Sequence, residues 1–406
     1  MTDRSVYDSL GVPTVINAAG TKTRVGGSLI REEAREAMLH AADSFVRLSE
    51  LQAAASRRIA ELTGADAGYV TNGAAGGLLL SAAASIAGTD PGTMARLPDT
   101  DGVADEIIMP RTHRTGYDHA FRTAGATIVD IGTNDPYLGT GSRDVEPWEY
   151  RTAVSDDTVA IGHVYKSYGS PRLAAVCEIA HQHDLPVIVD AAAEVPPVDN
   201  LSWFTEQGAD LVVFSGGKGI RGPQTTGILA GREDLVESVA FQHLDMHAAD
   251  EVWDPPTDLF DGDKIDGVPR QGVGRPLKVG KEEIVGLLRA LECFVEEDHD
   301  KRVSEWTSRA SRIAAELDEF EFLSTEVHDG QKSVAPEVAV SVDEETAPLS
   351  TQELVGALRG ENPRVFVGAD HVDAGQFTVN PMCLSDADAE YVVERITDYL
   401  RPNRGD

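Results

Sequence analysis

The chain has 406 residues, which is long enough for a large domain and a smaller one. Acidic residues outnumber basic residues by 68 to 35, and the formal net charge is −33. Contacts with a phosphate backbone need grouped lysine and arginine, and no such stripe occurs in the sequence, so we expect no nucleic-acid partner.

The acidic residues are spread along the chain rather than gathered in a tail, which indicates a solvated acidic shell. We interpret this shell as adaptation to a salt-rich cytoplasm, where ions screen the self-repulsion; an acidic interaction surface is the alternative. The three cysteines lie far apart without metal-ligand spacing, which favours a reducing cytosol and no metal site. Residues 1–10 lack an apolar core, and the longest apolar run, Leu78 to Ala87, is too short to span a membrane, so we expect neither a signal peptide nor a membrane anchor.

Apolar strands alternate with helical stretches through most of the chain, a pattern typical of an α/β fold with a mostly parallel sheet. We predict an N-terminal arm and helix (1–50), a large domain around a seven-stranded sheet (51–285) and a smaller α+β C-terminal domain (286–406). The strands predicted for the large domain are Gly68–Thr71, Glu106–Met109, Thr127–Ile131, Val159–Val164, Pro186–Asp190, Leu211–Phe214 and Gly227–Ala230. The elements predicted for the smaller domain are strands at Glu337–Val342, Arg364–Val367 and Gln376–Val379 and a helix at Asp386–Leu400.

The first strand of the large domain leads into a turn of small residues, Asn72-Gly73-Ala74-Ala75-Gly76, and then into a helix predicted to end near Ala87. Glycine and alanine let the backbone approach an anion closely, and the start of a helix offers unpaired N–H groups and the positive end of its dipole. Such a turn often only closes a strand–helix corner, but it can also bind a phosphate.

Two later strands end in residues that can carry chemistry. One ends in Asp190 followed by three alanines, and the next leads through Ser215 and two glycines to Lys218. One helix-sized crossover separates the two strands, so both carboxyl ends open on the same crevice of a parallel sheet. Burial lowers the pKa of a lysine and makes its nucleophilic amine accessible. The alternative is a structural ion pair between the two side chains.

A buried lysine beside a buried carboxylate, with a phosphate site upstream, suits pyridoxal 5'-phosphate. In this interpretation Lys218 is the Schiff-base lysine, and Asp190 pairs with the pyridinium nitrogen so that the ring remains an electron sink.

Six segments between about residue 10 and residue 285 follow the motifs of one enzyme family. They are Val15-Ile-Asn-Ala-Ala-Gly-Thr, Thr71-Asn-Gly-Ala-Ala, Tyr117-Asp-His-Ala, Val189-Asp-Ala-Ala-Ala-Glu, Phe214-Ser-Gly-Gly-Lys-Gly-Ile-Arg-Gly-Pro-Gln and Gly274-Arg-Pro-Leu-Lys-Val-Gly-Lys-Glu-Glu. On these segments the chain resembles fold-type I pyridoxal-phosphate enzymes, which have the aspartate aminotransferase-like fold. The resemblance is to the branch that holds bacterial selenocysteine synthase (L-seryl-tRNA selenium transferase) and the D-glucosaminate-6-phosphate ammonia-lyase-like proteins.

The resemblance implies which residues bind the cofactor. These residues are Asn72, Gly73, Ala74, His113, Asp190, Ala192, Ser215 and Lys218. His113 follows a strand at the place where this fold puts the residue stacked on the cofactor ring, and Tyr117 and His119 compete for that role. Ala192 or Ala193 would pack under the other face of the ring. Fold-type I sites are typically completed across a dimer, so the resemblance also implies a homodimer or a larger homo-oligomer.

Basic residues gather near the last matching segment: Arg270, Arg275, Lys278 and Lys281. They form either a solvated loop-to-helix junction or a clamp for a substrate carboxylate or phosphate. Arg24 and Arg221 are further candidates for such a clamp. The stretch Asp250–Pro276 is rich in Asp, Gly and Pro, and we predict that it loops over the site.

We expect a cytosolic pyridoxal-phosphate-dependent lyase that releases ammonia and a 2-oxo acid from a small hydroxylated amino acid by α,β-elimination. The resemblance implies D-glucosaminate or its 6-phosphate as the substrate. The alternatives are β-replacement on a seryl group, transamination, racemisation, and a non-catalytic pyridoxal-phosphate-binding protein. Selenocysteine synthases carry an additional N-terminal domain for their tRNA, whereas the first matching segment here begins within twenty residues of Met1, so we do not expect seryl-tRNA as the substrate.

Overall fold

The computed structural model describes residues 6–132, 145–167, 169–246, 248–268, 272–328 and 335–401. The chain forms two compact units. Ile30–Glu296 make up the large unit, and Met1–Leu29 together with Glu297–Asp406 make up the small unit. The predicted segments 1–50, 51–285 and 286–406 divide the chain differently, because the first long helix packs within the large unit and the first strand pairs within the small one.

Helices and strands alternate along most of the described chain. The helices are α1 (Glu32–Ala42), α2 (Leu48–Thr63), α3 (Gly73–Ala87), α4 (Pro91–Arg96), α5 (Asp118–Thr123), α6 (Pro147–Ala153), α7 (Leu173–His181), α8 (Asn200–Glu206), α9 (Glu233–His243), α10 (Lys281–Glu296), α11 (His299–Leu317), α12 (Thr351–Leu358) and α13 (Asp386–Leu400). The strands are β1 (Val15–Ala18), β2 (Ala67–Asn72), β3 (Glu106–Pro110), β4 (Thr127–Ile131), β5 (Thr158–Val164), β6 (Val187–Asp190), β7 (Leu211–Ser215), β8 (Thr226–Gly231), β9 (Leu323–His328), β10 (Glu337–Val342), β11 (Arg364–Val367) and β12 (Gln376–Val379). Within the described ranges, no helix is both long and apolar enough to cross a membrane.

The large unit is built on a seven-stranded sheet with the order β2-β8-β7-β6-β5-β3-β4. Strand β8 runs antiparallel to both of its neighbours, and the remaining neighbouring pairs are parallel. All seven strands correspond to strands predicted from the sequence, so the predicted α/β fold with a mostly parallel seven-stranded sheet is confirmed. These strands could be predicted because central strands that are buried on both faces are continuous apolar runs in the sequence.

Side chains from both faces of this sheet are buried under helices. Ile188 and Val213 pack on the face that carries α3 and α9, while Val189 and Phe214 pack on the opposite face. Helix α3 consists of Gly, Ala, Leu, Ser and Ile and lies in the core between the sheet and α9. It approaches the sheet so closely that a Cβ atom at Gly77 would lie 2.8 Å from a methyl group of Val213. Small residues therefore set the distance between α3 and the sheet.

The small unit contains a three-stranded antiparallel sheet with the order β12-β10-β9 and a parallel pair of β1 and β11. The predicted strands β10, β11 and β12 and the predicted helix α13 are confirmed with the same bounds. Strands β1 and β9 were not predicted. The sequence of β9 is largely polar and its side chains are mostly exposed, while β1 pairs with a strand almost at the other end of the chain.

The acidic excess of the chain leads to a prediction about salt. Since the chain has 68 acidic residues and only 35 basic ones, ion pairs can neutralise only about half of the negative charge. We expect the thermal unfolding temperature to rise between about 0.1 M and 1 M KCl, as the Debye length falls from ~10 Å to ~3 Å and the repulsion is screened. KCl is the suitable salt because sulfate would also strengthen apolar burial. An unfolding temperature that stays constant or falls would contradict adaptation to high salt.

Candidate active site

The carboxyl-terminal edge of the large sheet brings the predicted site segments together. Val164 at the end of β5 lies opposite Asp190 at the end of β6. Ser215 of β7 and Thr71 of β2 both lie opposite Gly227 of β8, which runs between these two strands. One edge of the sheet therefore carries the turn after β2, the end of β6 and the loop after β7, as expected for a ligand site in an open α/β fold.

Asp190 is a half-buried carboxylate held by the backbone around it. Its Oδ1 accepts a hydrogen bond from the Ala192 N–H at 3.0 Å, and its carbonyl oxygen accepts one from the Tyr165 N–H at 3.1 Å. Burial raises the pKa of the Asp190 carboxyl group, and this effect is opposed by the Ala192 N–H and by the charge of Lys218. A cationic hydrogen-bond donor beside Asp190, such as a protonated pyridine nitrogen, would compensate for its lost hydration.

The loop that carries Lys218 packs directly against other backbone segments. A Cβ atom at Gly217 would lie 2.4 Å from the Cα of Gln224, and one at Gly219 would lie 2.1 Å from the carbonyl oxygen of Val195. Such contacts are far shorter than any side chain tolerates, so glycine is required on both sides of the lysine. This packing brings Lys218 beside the segment that follows Asp190.

A buried arginine that sequence reasoning missed holds the same loop from the other side. Arg31 is 8% exposed, and its Nε donates a hydrogen bond to the Ile220 carbonyl at 2.9 Å. The Arg31 backbone N–H donates to the Arg221 carbonyl, also at 2.9 Å. Arg221 has a φ of 62°, a left-handed conformation that non-glycine residues rarely adopt and that surrounding contacts must maintain. In the sequence Arg31 is a polar residue before an amphipathic helix, with no sign of its distant partners.

The turn between β2 and α3 has the features of a phosphate cradle. Gly73 has a φ of 65°, and a Cβ at Gly227 would lie 2.5 Å from the carbonyl carbon of Gly73, so small residues are required on both sides of the turn. The Asn72 side chain does not cap the helix but donates a hydrogen bond to the Lys278 carbonyl at 3.1 Å. The start of α3 therefore fits an anion without a competing cap from Asn72.

His113 lies at the same edge of the sheet. It is 6% exposed, and its Nδ1 accepts a hydrogen bond from the N–H of Val164, the residue opposite Asp190. Its ring meets the ring of His163 edge-on, with 4.6 Å between the centroids. The competing stacking candidates from the sequence, Tyr117 and His119, are both exposed.

His113 and His163 are neutral near pH 7. Burial lowers the pKa of His113 to about 3, with further lowering by His163 and Lys166. Burial also lowers the pKa of His163 to about 4, again with a contribution from Lys166. Lys166 donates a hydrogen bond from Nζ to the Thr112 carbonyl at 2.6 Å, and burial lowers its pKa. The site therefore has a neutral aromatic wall beside Asp190.

The predicted cation cluster is divided by the structure. Arg275 forms a 3.7 Å ion pair with Asp245, and Lys278 is exposed beside the phosphate turn. Lys281 instead donates a hydrogen bond from Nζ to the Ala41 carbonyl at 2.6 Å, so it binds the end of α1. The anion-clamp interpretation therefore does not extend to Lys281.

The other candidate cations are more scattered. Arg221 lies in the Lys218 loop and is half-buried, whereas Arg24 is exposed and belongs to the small unit. Arg270 lies outside the described residues. In the part of the chain that the structure describes, no three His, Cys, Asp or Glu side chains group as a metal site would need.

The described part of the acidic stretch 250–276 is bound in part by α9. The Asp261 N–H donates to the buried Glu237 at 2.6 Å, and Lys264 pairs with the same carboxylate at 3.0 Å. Trp253 packs against the core on this side of the sheet. Composition predicted the loop, but it did not reveal the buried carboxylate that binds it.

A second carboxylate beside Asp190 and Lys218 was missed as well. Glu194 is half-buried; burial and the neighbouring Asp190 charge raise the pKa of its carboxyl group, and Lys218 lowers it. It is the last residue of the segment Val189-Asp-Ala-Ala-Ala-Glu, where a single glutamate after the alanines carried no signal of its own.

Comparisons with known proteins agree with this fold. The aminotransferase class-V family matches residues 116–248. The chain is 27% identical over 403 residues to D-glucosaminate-6-phosphate ammonia lyase of Salmonella typhimurium (strain 14028s / SGSC 2262), covering 97% of each chain. It is 30% identical over 407 residues to 5'-C-glycyluridine monooxygenase-decarboxylase of a Streptomyces species, covering 98% of this chain and 93% of that one. A solved structure of D-glucosaminate-6-phosphate ammonia-lyase matches with a TM-score of 0.81 at 26% identity, over 99% of this chain and 100% of the other.

A more partial similarity is to L-seryl-tRNA(Sec) selenium transferase of Desulfovibrio desulfuricans (strain ATCC 27774 / DSM 6949 / MB), at 28% identity. That match spans 55% of this chain and 49% of the transferase. The fold itself is shared more widely: an aspartate aminotransferase of Thermus thermophilus matches with a TM-score of 0.51 at 16% identity, over 97% of this chain and 94% of the other.

The fold is that of pyridoxal-phosphate-dependent enzymes with the aspartate aminotransferase-like fold, and the protein is an enzyme of this class. The desolvated Asp190 and the glycine-lined start of α3 fit the ring nitrogen and the phosphate of this cofactor. Within the class, the chain belongs to the fold-type I family that includes D-glucosaminate-6-phosphate ammonia lyase and the selenocysteine synthases.

The tie between Arg31 and the Lys218 loop can be tested by substitution. Arg31→Met keeps the aliphatic stem but removes the charged donor to the Ile220 carbonyl, so we expect the free energy of unfolding in urea to fall by about 1.5–3 kcal/mol. Arg35→Met is the matched control, because Arg35 is 61% exposed and its ion pair with Glu32 is 3.7 Å long; it should cost about 0.5 kcal/mol or less. Equal losses in the two variants would contradict the role of Arg31.

Burial of His113 and His163 should make the folded protein less stable in acid. Their folded-state pKa values, about 3 and about 4, lie below the ordinary value of 6.5, so between these limits the unfolded chain binds more protons and stability falls as the pH falls. His163→Gln should remove up to about 1.4 kcal/mol per pH unit of this dependence between about pH 6 and pH 4. Urea unfolding across this range measures it, with the exposed His183→Gln as the control. An unchanged pH slope in His163→Gln would show that His163 binds protons equally in both states.

Proposed function

We propose that the protein is a lyase that removes ammonia from a small hydroxylated amino acid by α,β-elimination, and that D-glucosaminate or its 6-phosphate is the substrate. The observation that carries the proposal is the similarity to D-glucosaminate-6-phosphate ammonia lyase along 97% of both chains. The net reaction converts the amino acid into the corresponding 2-oxo acid and ammonia; the water lost in elimination is regained when the unsaturated amine hydrolyses.

Pyridoxal phosphate, when bound, supplies an electron sink for the charge that develops at the substrate Cα. The amine of Lys218 takes the proton from Cα and can return one to the departing hydroxyl group. Asp190 would accept a hydrogen bond from the ring nitrogen and keep its proton in place. Asn72, Gly73, Ala74 and Ser215 would hold the phosphate at the start of α3. His113 and Ala192 would line the two faces of the ring, and the neutral imidazole would add no charge that competes with Asp190.

Arg221, Arg275 and Lys278 are the proposed partners of the substrate anions. Arg221 follows Lys218 in the same loop, and the Lys278 backbone contacts Asn72 at the phosphate turn. A sugar acid with a 6-phosphate carries two anionic groups, which suits two separate cations better than one. Arg24 stays a candidate from the sequence alone. We also propose that the protein works in the cytosol as a homodimer or a larger homo-oligomer.

Product analysis tests the proposed reaction. The protein, reconstituted with pyridoxal phosphate in concentrated KCl, is offered D-glucosaminate, its 6-phosphate, and the D and L forms of serine and threonine. We expect equal amounts of ammonia and 2-oxo acid from one of the two sugar acids, without an added amino acceptor. A 2-oxo acid that forms without ammonia, and only when a second 2-oxo acid is added to accept the amino group, would instead identify an aminotransferase. Inversion at Cα without release of either product would identify a racemase.

The similarity to 5'-C-glycyluridine monooxygenase-decarboxylase, at 30% identity over nearly the whole chain, favours a second candidate function. An enzyme of that kind would consume dioxygen and release carbon dioxide from an amino acid. Oxygen uptake and carbon dioxide release, followed in the same reactions, distinguish it from the lyase. Undiminished turnover under argon with no carbon dioxide release supports the lyase, whereas turnover that stops under argon would contradict it.

Lys218 is the residue whose loss should be most severe. We expect Lys218→Ala to lower ammonia release by roughly 10⁴-fold or more, because the variant has no amine at the position of the base. Its thermal unfolding should stay close to that of the wild-type apoprotein, since alanine introduces no clash at this position. Lys278→Ala, which also removes one lysine near the phosphate turn, serves as the comparison and should retain measurable turnover. Residual activity of Lys218→Ala at a tenth of the wild-type rate would contradict the assignment.

A further inference from the structure

Glu194 lies on the turn that joins Asp190 to the Lys218 loop. Its backbone N–H donates a hydrogen bond to the Ala191 carbonyl at 3.1 Å, so the chain turns back directly after the end of β6. The next residue, Val195, has its carbonyl oxygen so close to Gly219 that a Cβ there would lie 2.1 Å away. Glu194 therefore directly precedes Val195, whose carbonyl contacts Gly219, the residue after Lys218. It follows Asp190 by four residues.

The turn is held firmly from the other side. Asn200, the first residue of α8, donates a hydrogen bond from its side-chain amide to the Glu194 carbonyl at 2.6 Å. Val195 is 1% exposed and packs in the core. The carboxylate of Glu194 therefore projects from a backbone that packing and hydrogen bonding fix on both sides.

The charges facing Glu194 come from three neighbouring segments. Asp190 on β6 repels its carboxylate and Lys218 attracts it. Burial raises the pKa of the Tyr165 hydroxyl after β5, and the Glu194 charge raises it further. Asp190 and Glu194 therefore both act on the Lys218 ammonium. If Asp190 pairs with the ring nitrogen of the cofactor, the Glu194 carboxylate can still attract Lys218.

We propose that Glu194 is a positioning residue that acts through Lys218: its carboxylate holds the lysine ammonium at the end of β6 and sets the pH at which the amine becomes reactive. The inference rests on the proposed role of Lys218, and it adds a specific task for a residue to which neither the motifs nor the comparisons assign one. Loss of the Glu194 charge should lower the proton affinity of Lys218 and release the free amine at lower pH.

The test measures how fast the apoprotein binds pyridoxal phosphate covalently, without any substrate. Samples mixed with the cofactor are reduced with borohydride at intervals, and mass spectrometry gives the modified fraction between about pH 6 and pH 9. We expect Glu194→Gln to be modified about tenfold faster than wild type at neutral pH, which corresponds to a shift of about one pKa unit in Lys218. The difference should shrink as the pH rises, because the lysine amine then becomes free in both proteins.

Two further variants separate charge from structure. Glu194→Asp keeps the carboxylate and should return the pH profile towards that of wild type. Glu206→Gln removes the same charge from an exposed position at the end of α8 and should leave the profile unchanged. Identical profiles for Glu194→Gln and wild type would overturn the role of Glu194 and leave Lys218 as the nucleophile. A shifted profile in Glu194→Gln that Glu194→Asp fails to restore would also overturn it, since the charge would not be the cause. Failure of the wild-type protein to bind the cofactor covalently would overturn the proposed function itself.

Discussion

The contact on which the site depends is the close approach of the Lys218 loop to the turn that follows Asp190. The Gly219 backbone lies against the Val195 carbonyl, with no room for even a methyl group. Arg31 holds the same loop through the Ile220 and Arg221 carbonyls. Because this packing joins backbone to backbone, the position of the Lys218 backbone does not depend on the conformation of its flexible side chain. The fold thus places the Cα of the proposed Schiff-base lysine before any ligand binds.

The charges around Lys218 then determine which ligands the site favours. Asp190 and Glu194 are both half-buried, and burial raises the pKa of each carboxyl group, so the site strongly favours any cation that enters. Lys218 is one such cation, and a protonated ring nitrogen would be another. Next to Asp190, His113 and His163 are kept neutral by burial and carry no charge that would repel these cations near pH 7. This combination of a neutral wall and desolvated carboxylates favours chemistry in which negative charge develops on the substrate and is drawn into the ring.

Much of this arrangement could be predicted from the sequence, because its signals are local. Strands buried on both faces are continuous apolar runs, and Asp190 and Lys218 stand where such runs end. Other features depend on contacts between distant segments. Arg31 binds carbonyl groups about 190 residues away, and β1 pairs with β11 at the other end of the chain. The stretch after α9 is bound by the buried Glu237. Spacing and composition carry no information about such partners, and for the same reason Glu194 could not be told from an ordinary polar residue.

Peptide mapping shows directly whether Lys218 is the lysine that binds pyridoxal phosphate. The reconstituted wild-type protein is reduced with borohydride, digested and sequenced by mass spectrometry to locate the added pyridoxyl group. We expect a single modified peptide carrying the group on Lys218. Two other lysines lie near the same edge of the sheet: Lys166, whose pKa is lowered by burial, and Lys278 beside the phosphate turn. Modification of either of these in place of Lys218 would show that Lys218 is not the Schiff-base lysine.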